Sequence, residues 1–386
     1  MKKIVLILFL IQFNALSPLL AEKRYTANNG FDEAGCGSKT NPCRSISLTI
    51  SQATANDTVI VGPGLYGDTN KDGDTEDPGE ENSLATDEAM ISLPFPIKIL
   101  SRDGARSTVI HEPGEKNYAI YFKSDNATLG KKKKGFSITG GTKANIFVEG
   151  SRAKLVSSTI TSSAGFGVLV GCIPAANEQT ETEFREFSSA GKIQDTTIAF
   201  HSGSGLYLCD NTSDWKIQAS EITNNAKSGV VLRGSGHKFL RTAIVDNSET
   251  GLIATNAANF SVSKSVIIAN GGAGASIGDS GGSEFKNNSI IGNVGQGIFF
   301  GGTHVSIKNC NVFGNQPINN AGGIDVNCGI FDNVSDNPAP DGSFWGLNTG
   351  PTNSEPADAY CSQVKHTEVN DFLQKERIIP RPQPMQ

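Results

Sequence analysis

The chain is poor in aromatic residues, which make up 7% of it, and has only two tryptophans and five histidines against 43 glycines. So few large anchors exclude the thick core of a compact α/β enzyme and fit a thin, turn-rich rod. An excess of positive charge is also missing, since 33 Lys and Arg face 39 Asp and Glu. This balance argues against a general nucleic-acid binder. No segment places Leu and Ala at 3.6-residue spacing, so helical repeats are excluded. The seven cysteines lack zinc-knuckle spacing. The longest apolar run, residues 4–13, is too short to span a membrane.

What the second half does contain is a period. Asn225, Asn247, Asn270, Asn293 and Asn315 follow one another at steps of 22 or 23 residues. Three residues before each stands Ile222, Ile244, Ile267, Ile290 or Val312, and soon after comes glycine with an apolar residue, as in Gly229-Val230 and Gly251-Leu252. Short β-branched runs broken by Gly, Asn, Ser and Asp read as strands and turns. One repeat therefore closes one coil of a solenoid, and coils stack through parallel strands about 4.8 Å apart. In that register the Ile222 series forms one inward stripe, and Ile217, Phe239, Val262, Phe285 and Ile307 form a second. Asparagine suits the turn because it tolerates left-handed backbone, and stacked Asn side chains can bond along the ladder. The phase weakens backwards, through Gly205-Leu206 and Gly167-Val168, with an insertion after Ile173 carrying Glu178, Glu181, Glu183 and Glu186.

Residues 1–21 have the form of a secretory signal, with Lys2, Lys3, an apolar run and a cut after Ala21. No cysteine follows the run to carry a lipid. The expected product is exported: secreted, periplasmic or on the cell surface, in an oxidising compartment. Cys36 and Cys43 bracket a short turn and are expected to pair. Cys172 and Cys209 follow matched strands, so they should lie on adjacent coils and clamp the base of the acidic insertion. A further bond is expected within Cys310, Cys328 and Cys361, with its partners open. Residues 45–55 can form one helix with Ile46, Ile50 and Ala53 on a face, suited to capping the first coil.

The segments YTANNG (25–30), PCRSI (42–46) and NDTVIVGPGLY (56–66) resemble the N-terminal cap of secreted proteins of the pectin-lyase-like group. FWG (344–346), GP (350–351) and ADAYC (357–361) resemble their closing segment. The resemblance implies an all-β, single-stranded right-handed parallel β-helix over residues 22–361. Its cap and acidic loop would occupy 22–110, its coils and closure 111–361, and a disordered tail would follow at 362–386. The group includes lyases, hydrolases, epimerases and adhesins, so it does not imply one activity.

Three features bear on chemistry. Asp68, Asn70, Asp72 and Asp74 with Gly73 match the first half of a calcium loop. Gly79 stands where a closing Glu is usual, with Glu80 and Glu81 just after it, so a modified Ca2+ site of structural role is expected. Counted back from the Asn ladder, Arg241 and Lys264 share one position and Lys286 and Lys308 the next, while Arg233, His237 and Lys238 lie on the coil of Arg241. Such a stripe suits an acidic polysaccharide or a cell-envelope component. Lys131 to Lys134 read as an exposed turn. A lyase of this group would need a Lys or Arg base, and Arg233, Lys238 and Arg241 are available, but spacing selects none. The Asn-Thr-Asp, Asp-Asp, His-Gly and Arg-Ile-Lys marks of polygalacturonases are absent, as is the Asp-Pro-His-Glu of alginate epimerases. His111, His201, His237, His304 and His366 fall at unrelated phases and read as surface residues. The expectation is a non-catalytic, glycan-binding or surface-presenting rod, and the alternative is a polysaccharide lyase or hydrolase.

Overall fold

A computed structural model of the chain describes residues 21–81, 87–174, 181–184, 188–301, 305–315, 328–332 and 359–362. The secretory segment, most of the closing motif, the tail, Glu178, Glu186, His304 and His366 lie outside the described residues. So does the question of pairing among Cys310, Cys328 and Cys361, because the side chains of the last two do.

The chain winds as a parallel β-helix whose strands stack into three long sheets. One coil shows the plan. Val230–Ser235 lies in sheet 1, Lys238–Leu240 in sheet 2 and Ala243–Val245 in sheet 3, and Leu252–Ala258 then returns to sheet 1. Ile217 pairs with Phe239, and Phe239 with Val262, so side chains of one phase stack on themselves. Both inward stripes form as the period requires, at 0–3% exposure. Each of these side chains contributes roughly 1.5–3 kcal/mol by leaving water. The sheets already run through Thr58–Val61, Gly64–Gly67 and Lys98–Ser101, so coiling starts inside the region that the sequence presents as cap. The capping helix covers only Ile46–Ser51, with the Ser45 hydroxyl accepting from the Leu48 N–H at 3.4 Å. Asn56, in left-handed backbone at φ 74°, turns the chain into the first coil strand.

The turn from sheet 3 to sheet 1 holds the ladder. Asn225, Asn247, Asn270, Asn293 and Asn315 are at most 1% exposed. Each of the first four donates Nδ2–H to the Oδ1 of the next, at 2.8, 3.0, 2.9 and 2.8 Å. The same Oδ1 also accepts the preceding ladder residue's backbone N–H, as Asn270 does from Asn247 at 3.2 Å. The left-handed residue is the one before the asparagine: Asn224, Asp246, Ala269, Gly292 and Gly314. Asparagine is therefore kept for its amide rather than for its backbone tolerance. The ladder also accounts for the glycine column. A Cβ on Gly229 would lie 2.7 Å from Asn247 Nδ2 and 2.6 Å from Ile244 Cγ2.

Two histidines are buried at corners, contrary to the surface reading of both. His201 occupies the ladder position one coil before Asn225. Its Nδ1 accepts from the Ser163 N–H at 3.2 Å, and its Nε2 reaches the Ile160 carbonyl at 3.1 Å. His237, at the corner from sheet 1 to sheet 2, accepts from the Trp215 N–H at 3.2 Å and reaches the Arg233 carbonyl at 2.8 Å. Both rings serve as neutral Nε2–H tautomers, one acceptor and one donor. Burial pushes each down to about 4, against a backbone carbonyl that pulls the other way.

Two disulfides, Cys36–Cys43 and Cys172–Cys209, form as expected. They fit an extracellular or periplasmic protein. The second stands where Cys172–Pro174 leaves the rod and pairs antiparallel with Glu181–Phe184, at the base of the acidic insertion. Among the described residues no helix is long and apolar enough to cross a membrane.

Asn270→Ala should cost about 3 kcal/mol, because it leaves the buried Asn247 N–H without its acceptor and breaks the amide chain on both sides. Chemical unfolding of the variant and the parent checks this. The histidines bind protons only when unfolded between about 6.5 and 4, so stability should be full above pH 6.5 and fall as pH drops toward 4. The loss is on the order of 3 kcal/mol per ring. Melting temperatures from pH 7 to 4.5 should show the fall, and His201→Asn should remove its share.

Candidate functional site

The three outer faces differ sharply. On sheet 1 the outward column Tyr121, Phe147, Leu169, Tyr207 and Val231 is apolar and 0–4% exposed. Tyr118 stacks on Phe147 with ring centroids 4.6 Å apart. On sheet 3 the outward residues Ala243, Val245 and Val266 are likewise buried. Sheet 2 is the face that keeps its charges in water.

There the strands bring together a lysine column. Lys154 pairs with Lys192, Lys192 with Lys216, and Lys216 with Lys238. The four occupy one outward position on four successive coils; Lys192 is half-buried and the other three are exposed. The pattern behind it is a Lys nine residues before the ladder position: 216 against 225, and 238 against 247. Lys192 and Lys154 keep the same offset from His201 and Ser163. Counting from asparagines alone misses these two, because the ladder changes residue type there. Two strands earlier in the same sheet, Lys98 is exposed in the same column, above Thr128. The exposed turn Lys131–Lys134 supplies the cations of the intervening coil.

Toward the other end the charge shifts sideways. The column passes to Ser261, Glu284 and Ser306, while Lys286 and Lys308 stand two residues along the same outward face. Arg241 and Lys264 sit at the corner between sheets 2 and 3, both exposed, in left-handed backbone at φ 51° and 53°. The next two coils use Asn287 and Asn309 there, the residue type that tolerates this conformation best. Holding Arg or Lys in it costs on the order of 1 kcal/mol each. Among the described residues none of these sheet 2 cations forms an ion pair. From Lys98 to Lys308 the band crosses eight strand steps, roughly 38 Å.

Two residues expected on this stripe are elsewhere. Arg233 lies on sheet 1, 8% exposed, with Nη1 3.6 Å from Asp210. His237 is fully buried, where its ring bonds backbone. Charge on the same coil is not charge on the same face, since one coil turns through three faces. With His201 also internal, among the described residues no histidine stands on the band. Glu284 stands in the column itself, and Asp195 and Asp214 flank it at the two corners of sheet 2.

The acidic loop after Gly64–Gly67 is a second cluster. It carries Asp68, Asn70, Asp72, Asp74 and Glu80, with Asp68 and Glu80 buried. Near the cap, Asp32 approaches the sulfurs of Cys36 and Cys43. Those sulfurs are bonded to each other, and Asp32 accepts from the Arg44 and Ser45 N–H groups, so that group is structural.

A family profile described as "Right handed beta helix region" matches residues 204–343. No curated protein matches the chain. Among solved structures it resembles the A-module of a mannuronan C-5 epimerase from Azotobacter vinelandii, at 12% identity and TM-score 0.52, covering 91% of this chain and all of that one. A pectate lyase is similar at 14% identity and TM-score 0.51, over 92% of this chain and 78% of its own. So is tailspike protein 2 of Escherichia coli O157:H7 bacteriophage CAB120, at 12% identity and TM-score 0.51, over 86% of this chain and 45% of the tailspike. These identities speak to fold alone. In fold, the chain is a right-handed parallel β-helix.

Proposed function

We propose that the protein is a non-catalytic binder of acidic polysaccharide, exported from the cell, and that the polymer lies lengthwise along sheet 2. The observation that carries this reading is the lysine column on four successive coils, three of them exposed and Lys192 half-buried, without ion pairs among the described residues. Cations repeated at about 4.8 Å match a ligand whose own negative charge repeats, and a single small anion would use only one step of the row. The strained corner positions of Arg241 and Lys264 support it, because a merely solvated face gains nothing from cations there. Two similar structures are named for enzymes of mannuronan and pectate, which supports acidic glycans as the first candidate ligands. A non-catalytic role is favoured because the two buried histidines are committed to backbone bonds, and among the described residues no carboxylate pair stands on the band.

Binding to alginate, pectate and chondroitin sulfate should be measurable by calorimetry and should weaken steeply with salt. Lys192→Glu with Lys216→Glu should reduce affinity at least tenfold while leaving the melting temperature near that of the parent, since both lie on the outward face of sheet 2 and form no ion pair among the described residues. Arg241→Glu with Lys264→Glu should weaken binding too. Unchanged affinity in both pairs would remove sheet 2 as the binding face. Absorbance near 235 nm should stay flat during incubation with each polymer; its rise would replace the binding role with a lyase activity.

A further inference from the structure

The loop that begins at Asp68 is built around an acceptor with nothing to accept from. Asp68, 2% exposed, takes the Lys71 N–H on Oδ1 at 2.5 Å and the Gly73 N–H on Oδ2 at 3.1 Å, winding the loop back on itself. Gly73 adopts φ 105°, which a side chain would resist. Asn70 Nδ2 lies between two carboxylates, 2.9 Å from Asp72 and 2.6 Å from Asp77. Glu80 then folds under the loop at 1% exposure, and its Oε1 accepts from the Thr69 N–H at 2.6 Å and the Thr69 hydroxyl at 3.0 Å. Its Oε2 is buried and has no hydrogen-bond partner. A buried carboxylate oxygen left without a donor costs free energy unless a cation takes it.

Charge accumulates around that oxygen. Asp72, Asp74, Glu76 and Asp77 stand in the same short loop, and Asp77 Oδ2 is tied to it by the Asn70 amide. The loop thus collects like charges that hydrogen bonds alone do not balance. We infer that residues 68–80 bind a calcium ion, with Asp68, Asn70, Asp72 and Asp74 supplying oxygens from the loop and Glu80 Oε2 closing the shell from beneath. Calcium fits because its shell takes six to eight oxygens in adaptable geometry, as a loop of mixed carboxylates and amide offers. Glu80 stands one position later than the usual closing residue, and its burial brings it back to Thr69.

Glu81 makes the site matter for the fold. Its carboxylate accepts the Ile46 and Ser47 N–H groups at 2.9 and 2.7 Å, at the start of the capping helix. A cation on Glu80 would therefore tie the loop, the cap and the first coil into one unit.

The test uses the full-length exported chain, stripped with a chelator and titrated with calcium chloride by calorimetry, with melting temperature read in parallel. Binding of one equivalent and a raised melting temperature are expected. Glu80→Gln keeps an acceptor for Thr69 and removes the charge. It should weaken calcium binding at least tenfold and melt no lower than the parent in chelator. Asp72→Asn, at an exposed position, should weaken binding with no effect in chelator. No heat and no thermal shift at about 1 mM calcium, the upper range for extracellular modules, would overturn the inference. So would undiminished binding by both variants, or equal affinity for magnesium.

Discussion

A rod made of stacked coils must turn its chain three times per coil, and each turn carries backbone groups into places that water does not reach. The asparagine amide is the group that makes this tolerable. It accepts from two N–H groups with one oxygen and returns a donor to the next amide. The left-handed residue before it, the glycine after it and the isoleucine beneath it all follow from where that amide lies. Where the ladder passes to His201, the requirement stays the same and the chemistry changes. An imidazole has one acceptor and one donor only while neutral, so the same seat brings acid sensitivity that an amide would not.

Much of this was legible in the sequence because a solenoid writes its geometry as a period. The inward stripes, the ladder, both disulfides and the place of the acidic insertion each follow from a count. What the count could not reach had physical causes. The ladder residue must accept and donate, and Asn, His and Ser all can, so counting asparagines stopped at Asn225 and left Lys154 and Lys192 out of phase. Arg233 was misplaced because three faces share each coil, and a coil number does not say which face a side chain takes. The helix stops at Ser51, short of Ala55, with Gln52 as its cap, and Asn56 then takes left-handed backbone before the next strand. Glu80 and Glu81, adjacent and alike in sequence, went to different tasks, one under the loop and one at the helix start. Only burial distinguishes them.

The candidate band on sheet 2 is defined as much by its neighbours as by itself. Tyr121, Phe147 and Tyr207 withdraw one outer face from solvent, and Val245 and Val266 withdraw part of another. Cations fall on the face that remains, and two of them hold backbone conformations that asparagine would adopt at lower cost. The sequence carries that strain without any visible mark, since Arg241 and Lys264 look like ordinary surface residues until their φ angles are known.

Because every ladder bond joins one coil to the next in the same way, a coil can be gained or lost whole without altering the geometry of those that remain. Length in such a molecule is quantised: each addition of 22 or 23 residues advances the rod by about 4.8 Å. An outward column lengthens by the same quantum. The reach of a surface along sheet 2 is therefore heritable as a number of repeats, adjustable by duplication or deletion of a single coil while the contacts within each coil stay as they were.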